Sequence, residues 1–116
     1  MIAPMKDELP VCPVATMLEL IDSKWKVFIL RNLLTGPNRF SDLKRTIPGI
    51  SSKALTDSLR EMVADGLVMR EVGEGPNPPV IYSLSDLGES MRPVILAMQD
   101  WGRMYMDMNP KTDRNP

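Results

Sequence analysis

The segment of residues 51–66 is an amphipathic stretch that limits how the rest of the chain can be arranged. Apolar residues recur on one face at helical spacing. These residues are Leu55, Leu59, Met62 and Val63. Polar residues follow the same period on another face, and they are Lys53, Thr56, Asp57 and Arg60. Ser51 can cap the first turn and Gly66 can end the helix, so we predict a helix with one packed face and one face free to contact a partner.

Three helices are predicted before this segment. The first opens at Cys12-Pro13, because proline fits the first helical position. The second, over residues 25–34, is apolar around more than half of its circumference and is predicted to form the centre of the core. A short third helix begins near Ser41, and the Pro48-Gly49-Ile50 turn follows it. Two helices joined by a short glycine-containing turn match the helix-turn-helix unit, whose second helix enters the major groove of DNA.

Two runs of β-forming residues come after Gly66. They are residues 67–72 and 80–84, and the turn-rich segment 73–79 separates them. We interpret this pattern as an antiparallel hairpin with a long loop, the wing of a winged helix. The predicted fold is mainly α (α+β), a winged helix-turn-helix with a two-stranded β-hairpin wing.

A long C-terminal dimerisation helix is predicted from about Ser85 to Met108. Its apolar residues are separated alternately by four and three positions, a spacing that keeps one stripe against a partner helix. These residues are Leu87, Met91, Val94, Met98, Trp101, Tyr105 and Met108. Pro93 is expected to kink the helix, since a proline in a helix interior removes a hydrogen bond and clashes with the preceding turn.

The basic charge is concentrated around the helix-turn-helix. Residues 24–60 contain eight lysines and arginines but only two carboxylates. Residues 61–110 contain three arginines and eight carboxylates. The net charge of the chain is −1, so the basic excess is local and suits contact with a polyanion. At 116 residues the chain fits one domain. We predict an N-terminal arm at residues 1–11, the winged helix-turn-helix domain with its terminal dimerisation helices at residues 12–108, and a flexible tail at residues 109–116.

The composition argues against an enzyme. The chain has no histidine and one cysteine, so a zinc site and a Ser–His or Cys–His nucleophile pair lack their residue types. We therefore expect no catalytic residues, no metal and no cofactor. No apolar run approaches the roughly 20 residues that span a bilayer, and the N-terminus lacks a signal-peptide pattern. A cytoplasmic location without membrane contact is expected.

Seven short strings between Cys12 and Gly88 carry a resemblance to a known family. They are Cys12-Pro13-Val14, Lys24-Trp25, Arg39-Phe40-Ser41-Asp42-Leu43, Pro48-Gly49-Ile50-Ser51, Leu55-Thr56-Asp57-Ser58-Leu59-Arg60, Asp65-Gly66-Leu67-Val68 and Tyr82-Ser83-Leu84-Ser85-Asp86-Leu87-Gly88. Together they resemble the HxlR family of bacterial and archaeal winged-helix transcription regulators. The resemblance implies a homodimer that regulates neighbouring genes, without catalysis. Its first and last helices would form the interface, and its two winged helices would bind adjacent major grooves of a pseudo-palindromic operator.

The candidate DNA-binding residues lie in three places. Before the turn they are Arg39, Ser41, Lys44 and Arg45, which are expected to hold phosphates and set the register. On the second helix they are Ser51, Ser52, Lys53, Thr56, Asp57 and Arg60. Lys53 and Thr56, near the N-terminus of this helix, are the better candidates for base edges, and Asp57 can hold Lys53 or Arg60 in place. On the wing they are Arg70 and Asn77.

The candidate dimer interface lies on the first and last helices. It comprises Val14, Met17, Met91, Val94, Met98, Trp101 and Tyr105.

Cys12 has two interpretations. Some members of the family respond to oxidants or electrophiles through a cysteine at this position, and the helix dipole would favour its thiolate. Alternatively, Cys12 is a small side chain that seals the dimer core. The sequence identifies no small-molecule effector.

Two other functions compete with DNA-binding regulation. A winged helix can serve as a protein-interaction module without sequence-specific DNA binding, because a fold alone does not determine function. The basic excess around residues 51–66 disfavours this alternative. An enzyme with a pocket at the dimer interface is disfavoured by the missing catalytic residue types.

Overall fold

The computed structural model describes residues 9–108, which form six helices and a small three-stranded sheet. In chain order the elements are α1 (Pro13–Leu20), α2 (Lys24–Leu33), β1 (Asn38–Arg39), α3 (Phe40–Thr46), α4 (Ser52–Ala64), β2 (Val68–Val72), β3 (Val80–Leu84), α5 (Asp86–Glu89) and α6 (Arg92–Met108). The predicted mainly α, winged helix-turn-helix fold is confirmed. The predicted tail and most of the predicted N-terminal arm lie outside the described residues.

The core is centred on α2, as its apolar circumference predicts. Ser23 caps this helix by accepting a hydrogen bond from the Lys26 N–H group. The buried apolar side chains come mainly from α2, α3, α4 and the segments that follow them. They are Ile21, Ile29, Leu30, Leu33, Leu43, Ile47, Ile50, Leu55, Leu59, Met62, Leu67, Val68 and Ile95. Because α3 and α4 both contribute to this cluster, the helix-turn-helix is held rigidly on the domain.

The ends of α4 follow from local chemistry. Ser51 Oγ accepts a hydrogen bond from the Ala54 N–H group at 3.0 Å, which satisfies one donor of the first turn. Gly66 has a φ of 81°, and the Leu67 N–H group beyond it donates to the Met62 carbonyl at 2.9 Å. This is the Schellman arrangement that ends many helices. The chain therefore leaves α4 directly into the first wing strand.

The wing is one part of a sheet with the strand order β1-β3-β2. The predicted hairpin of β2 and β3 is present and antiparallel, with Val68 opposite Leu84 and Val72 opposite Val80. The third strand, β1, pairs with β3 through Asn38 opposite Tyr82 and was not predicted. Two residues are too few to show the alternating pattern by which a strand is recognised in sequence.

The C-terminal helix is shorter than the sequence predicts. The expected continuous helix is interrupted at Ser90 and Met91, which separate α5 from α6. Pro93 is the second residue of α6 and therefore lies in its first turn. N–H groups of a first turn have no acceptor within the helix, so the N–H group that proline lacks costs no helical hydrogen bond. The proline therefore accompanies a helix start and does not kink a helix interior.

Helix α5 fastens the end of the wing to the end of α4. The Ser85 hydroxyl donates to the Gly66 carbonyl and accepts from the Gly88 N–H group, while the Ser85 N–H group donates to the Leu67 carbonyl at 3.0 Å. A Cβ atom at Gly88 would lie 2.2 Å from the Leu67 carbonyl oxygen. Only glycine permits this approach, which sets the position of the sheet relative to α4.

Candidate nucleic-acid interface

Helix α4 presents a polar face away from the core. Its inward positions Leu55, Leu59 and Met62 are buried, as predicted. The outward residues Ser52, Lys53, Thr56 and Arg60 are exposed, and Ser51 at the N-cap is exposed as well. Side chains with hydrogen-bond donors on the exposed face of a helix can reach base edges in a major groove.

An acidic side chain bridges the two cations of this face. Asp57 accepts a hydrogen bond from Lys53 Nζ at 2.7 Å and lies 3.9 Å from the Arg60 guanidinium. The hydrogen bond from Lys53, together with attraction to Lys53 and Arg60, lowers the pKa of Asp57 below its ordinary value. The Lys53 and Arg60 side chains remain 84% and 75% exposed. Asp57 therefore holds Lys53 in place and lies beside Arg60, while both cations remain accessible.

A second basic surface lies on α3 and the strand before it. The predicted residues Arg39, Ser41, Lys44 and Arg45 are all exposed. Asp42 organises two of them, because its carboxylate accepts from the Arg39 N–H group at 3.1 Å and from the Arg45 guanidinium at 3.2 Å. Asp42 thus caps α3 and orients Arg45, a role that was not predicted from the sequence.

The wing contributes Arg70 and Asn77. Both side chains are exposed, as are all residues of the loop from 73 to 79. Arg70 stands opposite Tyr82 in the register of β2 and β3, so the arginine belongs to the sheet and not to the loop. Within the described part of the chain, no carboxylate forms a salt bridge with Arg70.

Lys26 belongs to the core and not to the basic surface, contrary to its inclusion in the basic excess of residues 24–60. Its side chain is 2% exposed and pairs with Asp22 at 2.8 Å and Glu61 at 3.2 Å. Burial lowers the pKa of Lys26, but hydrogen bonds and attraction from the two carboxylates outweigh burial and raise it above its ordinary value. The signal was present in the sequence, because Lys26 precedes Ile29, Leu30 and Leu33 at helical spacing.

A cleft of about 350 Å³ separates the outward face of α4 from the sheet. The residues that line it are Thr56, Leu59, Arg60, Val63, Arg70 and Tyr82. Three of these residues were predicted to bind DNA, whereas Tyr82 was assigned no part in DNA binding. The sheet brings Arg70 and Tyr82 to α4, a proximity that no spacing in the sequence predicts.

Cys12 lies at the N-cap of α1 and is an exposed free thiol in the described chain. The hydroxyl group of Thr16, one turn later, lies within hydrogen-bond distance of two acceptors, the carbonyl oxygens of Pro10 and Cys12. The cysteine backbone is thereby fixed at the start of the helix, while its side chain provides no cap. The alternative in which Cys12 is buried requires a surface beyond residues 9–108.

Apolar side chains are exposed along α1 and α6. Of the predicted interface residues, Val14, Met98, Trp101 and Tyr105 are exposed, and Leu18, Leu96, Met104 and Met108 on the same two helices are exposed as well. Met17 and Met91 pack against the core of their own chain, and Val94 is half-buried, so the exposed stripe begins later than predicted. We call the exposed residues of this group the terminal apolar surface. Among the described residues, no helix is long and apolar enough to span a membrane.

A helix-turn-helix with an exposed basic face, followed directly by a β-hairpin, defines a winged-helix DNA-binding domain. The model of the family described as HxlR-like helix-turn-helix matches residues 20–110. The chain therefore belongs to the HxlR family, and the resemblance found in the sequence is confirmed.

Curated relatives and solved structures agree with this assignment. The chain is 41% identical over 107 residues to YdeP of Bacillus subtilis, described as an uncharacterized HTH-type transcriptional regulator, covering 92% of this chain and 84% of YdeP. The structure of the reduced redox regulator HypR superposes with a TM-score of 0.80 at 38% identity, covering 84% of this chain and 96% of HypR. The reduced transcriptional regulator YodB from B. subtilis gives a TM-score of 0.72 at 31% identity, and the match covers 86% of this chain and 99% of YodB. The chain is a DNA-binding transcriptional regulator and not an enzyme.

Proposed function

We propose that the chain acts in the cytoplasm as a homodimer on a pseudo-palindromic DNA operator, with one α4 helix in each of two adjacent major grooves. The observation that carries this proposal is the exposed face of α4, where Lys53, Thr56 and Arg60 project from a helix whose opposite face is buried in the core. A buried face keeps the helix rigid, so its polar side chains are positioned before DNA arrives.

The exposed residues divide into base-reading and phosphate-binding groups. Lys53 and Thr56 lie in the first turns of α4, the part of a recognition helix that reaches base edges. Ser51 and Ser52 surround the N-terminus of this helix, where hydroxyl and N–H groups suit a phosphate. Arg39, Ser41, Lys44 and Arg45 provide phosphate contacts beside it, and Arg70 and Asn77 provide them from the wing. Asp57 positions Lys53 and Arg60.

The experiment is a titration of labelled promoter DNA from the gene's own neighbourhood at several salt concentrations. Affinity should fall steeply with salt, because lysine and arginine displace counterions from phosphates. Lys53→Ala should weaken binding to the operator more than to a scrambled duplex, by roughly 1–3 kcal/mol, if Lys53 reads a base edge. Arg31→Gln serves as the matched control, since Arg31 is an exposed cation outside the proposed set. Equal losses for both variants would contradict the assignment.

Dimerisation is supported by the terminal apolar surface. Trp101 and Tyr105 are 62% and 53% exposed, and their rings stack at 5.5 Å between centroids with an interplanar angle of 9°. Large exposed apolar patches mark interaction sites, and a stripe on a long helix suits packing against its symmetric copy. The two ends of the described chain would then meet their counterparts in the second protomer.

Cys12 is proposed as a redox or electrophile sensor of this regulator. The proposal is supported by its exposure and by its place at a helix N-terminus. Because each chain has one cysteine, oxidation leads to a sulfenic acid, a mixed disulfide with a small thiol, or a bond to a second chain. Mass spectrometry after mild diamide or quinone treatment should detect modified Cys12, and DNA release should disappear in Cys12→Ser. Unmodified Cys12, or equal release from the variant, would exclude this role.

A further inference from the structure

The cleft between α4 and the sheet has the chemical character of a small-molecule site. Its floor is apolar, because Leu59 is 2% exposed and Val63 is half-buried. The Tyr82 ring adds a further half-buried wall. A volume of about 350 Å³ lies within the range of clefts that hold small ligands, which are lined mainly by apolar groups with a few placed polar ones.

Two guanidinium groups give the cleft its charge. Arg60 comes from α4, and its carboxylate partner Asp57 is 3.9 Å away, a loose ion pair. Arg70 comes from β2 and forms no salt bridge with any residue in the 9–108 range. Thr56 adds a hydroxyl group beside them. An anion bound here would gain charge-assisted hydrogen bonds without first breaking a tight ion pair.

The size and the apolar floor distinguish between kinds of anion. A single phosphate or sulfate ion fills only a small part of such a cleft and gains nothing from Leu59, Val63 or the Tyr82 ring. A molecule with an apolar or aromatic body and one carboxylate uses both parts of the lining. We propose that the cleft binds a small organic anion of this amphipathic kind, and that its binding competes with DNA.

The competition rests on the proposed DNA-binding function, because the two ligands share residues. Thr56, Arg60 and Arg70 line the cleft and also belong to the proposed DNA-contacting set. An anion that engages both arginines removes their charge from the DNA surface. By linkage, the ligand weakens DNA binding by the same factor by which DNA weakens ligand binding.

The binding test uses the full chain without DNA and benzoate as the probe. Amide shifts in an NMR titration at constant ionic strength should change around α4 and β2 and saturate. Benzamide has the same shape without the charge. Its affinity should be lower by a factor of about ten or more, because the charge-assisted hydrogen bonds are lost. Inorganic phosphate should bind more weakly than benzoate, because it cannot use the apolar floor.

Two variants and a control locate the site. Arg70→Gln, on an exposed strand position, should reduce benzoate affinity several-fold, whereas Arg31→Gln should leave it unchanged. Val63→Phe should fill the cleft without changing the charge, and its DNA complex should no longer respond to benzoate. In the unaltered protein, benzoate at ten times its dissociation constant should weaken DNA binding roughly tenfold, as expected when two ligands exclude each other.

Each result decides between the two proposals. Equal affinities for benzoate, benzamide and phosphate, or shifts away from the cleft, would overturn the ligand proposal while leaving DNA binding intact. Benzoate binding to a protein that fails to retain any operator would contradict the DNA-binding proposal alone. If benzoate bound in the cleft and DNA affinity did not change, competition would be excluded.

Discussion

At the scale of single residues, two charged side chains have functions that their charge alone does not reveal. Lys26 is a cation inside the core, and Asp57 is an anion on a surface proposed to bind a polyanion. Lys26 connects α2 to α4 through Glu61, so α4 is held by a charge-assisted hydrogen bond as well as by apolar packing. Asp57 connects Lys53 and Arg60 on the opposite face.

Replacing Lys26 should reduce stability. Lys26→Met keeps the apolar stem but removes the hydrogen bonds to Asp22 and Glu61, and the free energy of unfolding should fall by about 1–2 kcal/mol. Half-exposed carboxylates recover part of the loss by hydration, which keeps the figure small. Lys44→Met, at an exposed position on α3, should change the free energy of unfolding by less than about 0.5 kcal/mol. Urea denaturation of both variants measures the difference.

The contribution of Lys26 should also depend on pH. Its folded pKa is raised above the ordinary value of 10.5, so its stabilising effect is complete below that pH and is lost as the pH rises through the folded pKa. The difference in unfolding free energy between the unaltered chain and Lys26→Met should therefore be constant near neutral pH and shrink above pH 10.5. A difference that grows in alkaline solution would contradict the assignment.

Replacing Asp57 should increase binding to DNA of any sequence. Asp57→Asn removes a negative charge from the interface and releases Lys53, so affinity for a scrambled duplex should rise roughly two- to tenfold. Operator affinity should rise less, because Lys53 and Arg60 are no longer held in position. The lowered pKa of Asp57 keeps it ionised at neutral pH, so the effect should be the same from pH 6 to 8. Fluorescence anisotropy on both duplexes tests this, and an equal rise in affinity for the two duplexes would exclude the positioning role.

At the scale of helices and strands, the sequence predicted the elements whose signals are local. The period of Leu55, Leu59 and Met62, with caps at Ser51 and Gly66, was sufficient to predict α4. The short strand β1 has no such signal, because it exists only through its pairing with β3. The break before Pro93 was mistaken for a kink, since the heptad spacing continues across both helices and conceals the boundary.

The junction between α4, the wing and α5 should be intolerant of added side chains. Gly88→Ala places a Cβ against the Leu67 carbonyl oxygen and should lower the free energy of unfolding by at least about 1–3 kcal/mol, as overpacked sites do. Gly102→Ala is the control, because no other part of the described chain lies within 4 Å of the new Cβ and alanine favours a helix interior. Thermal unfolding measures the stability of each variant relative to the unaltered chain. Equal stability of Gly88→Ala and the unaltered chain would show that the junction is not tight.

At the scale of the whole molecule, the surface carries exposed basic residues on α3 and α4 and exposed apolar residues on α1 and α6. The basic residues were predicted from charge segregation and helical period, and the structure places all of them on the surface except Lys26. The cleft could not be predicted, because Arg60, Arg70 and Tyr82 meet only after the sheet packs against α4. The sequence also could not show that Met17 and Met91, two of the predicted interface residues, pack against the core of their own chain, because this packing depends on the tertiary fold.

Dimer formation should depend on the exposed aromatic pair of α6. Trp101→Ala should weaken self-association by about 2 kcal/mol or more, since tryptophan is a frequent hot spot of interfaces. Sedimentation equilibrium measures the dissociation constant. Met69→Ala, an exposed apolar position on β2, is the control and should leave it unchanged. A monomer at all working concentrations of the unaltered chain would contradict the proposed assembly.

The most direct test of the whole account is a hydroxyl-radical footprint of the operator, with Lys53→Ala and Thr56→Ala beside the unaltered chain. If paired α4 helices bind adjacent major grooves, two protected patches should appear on one side of the duplex, with centres roughly 34–36 Å or a multiple of that distance apart, and protection should be weaker in both variants. A single patch, or protection that both variants retain in full, would show that the chain does not present paired α4 helices to DNA.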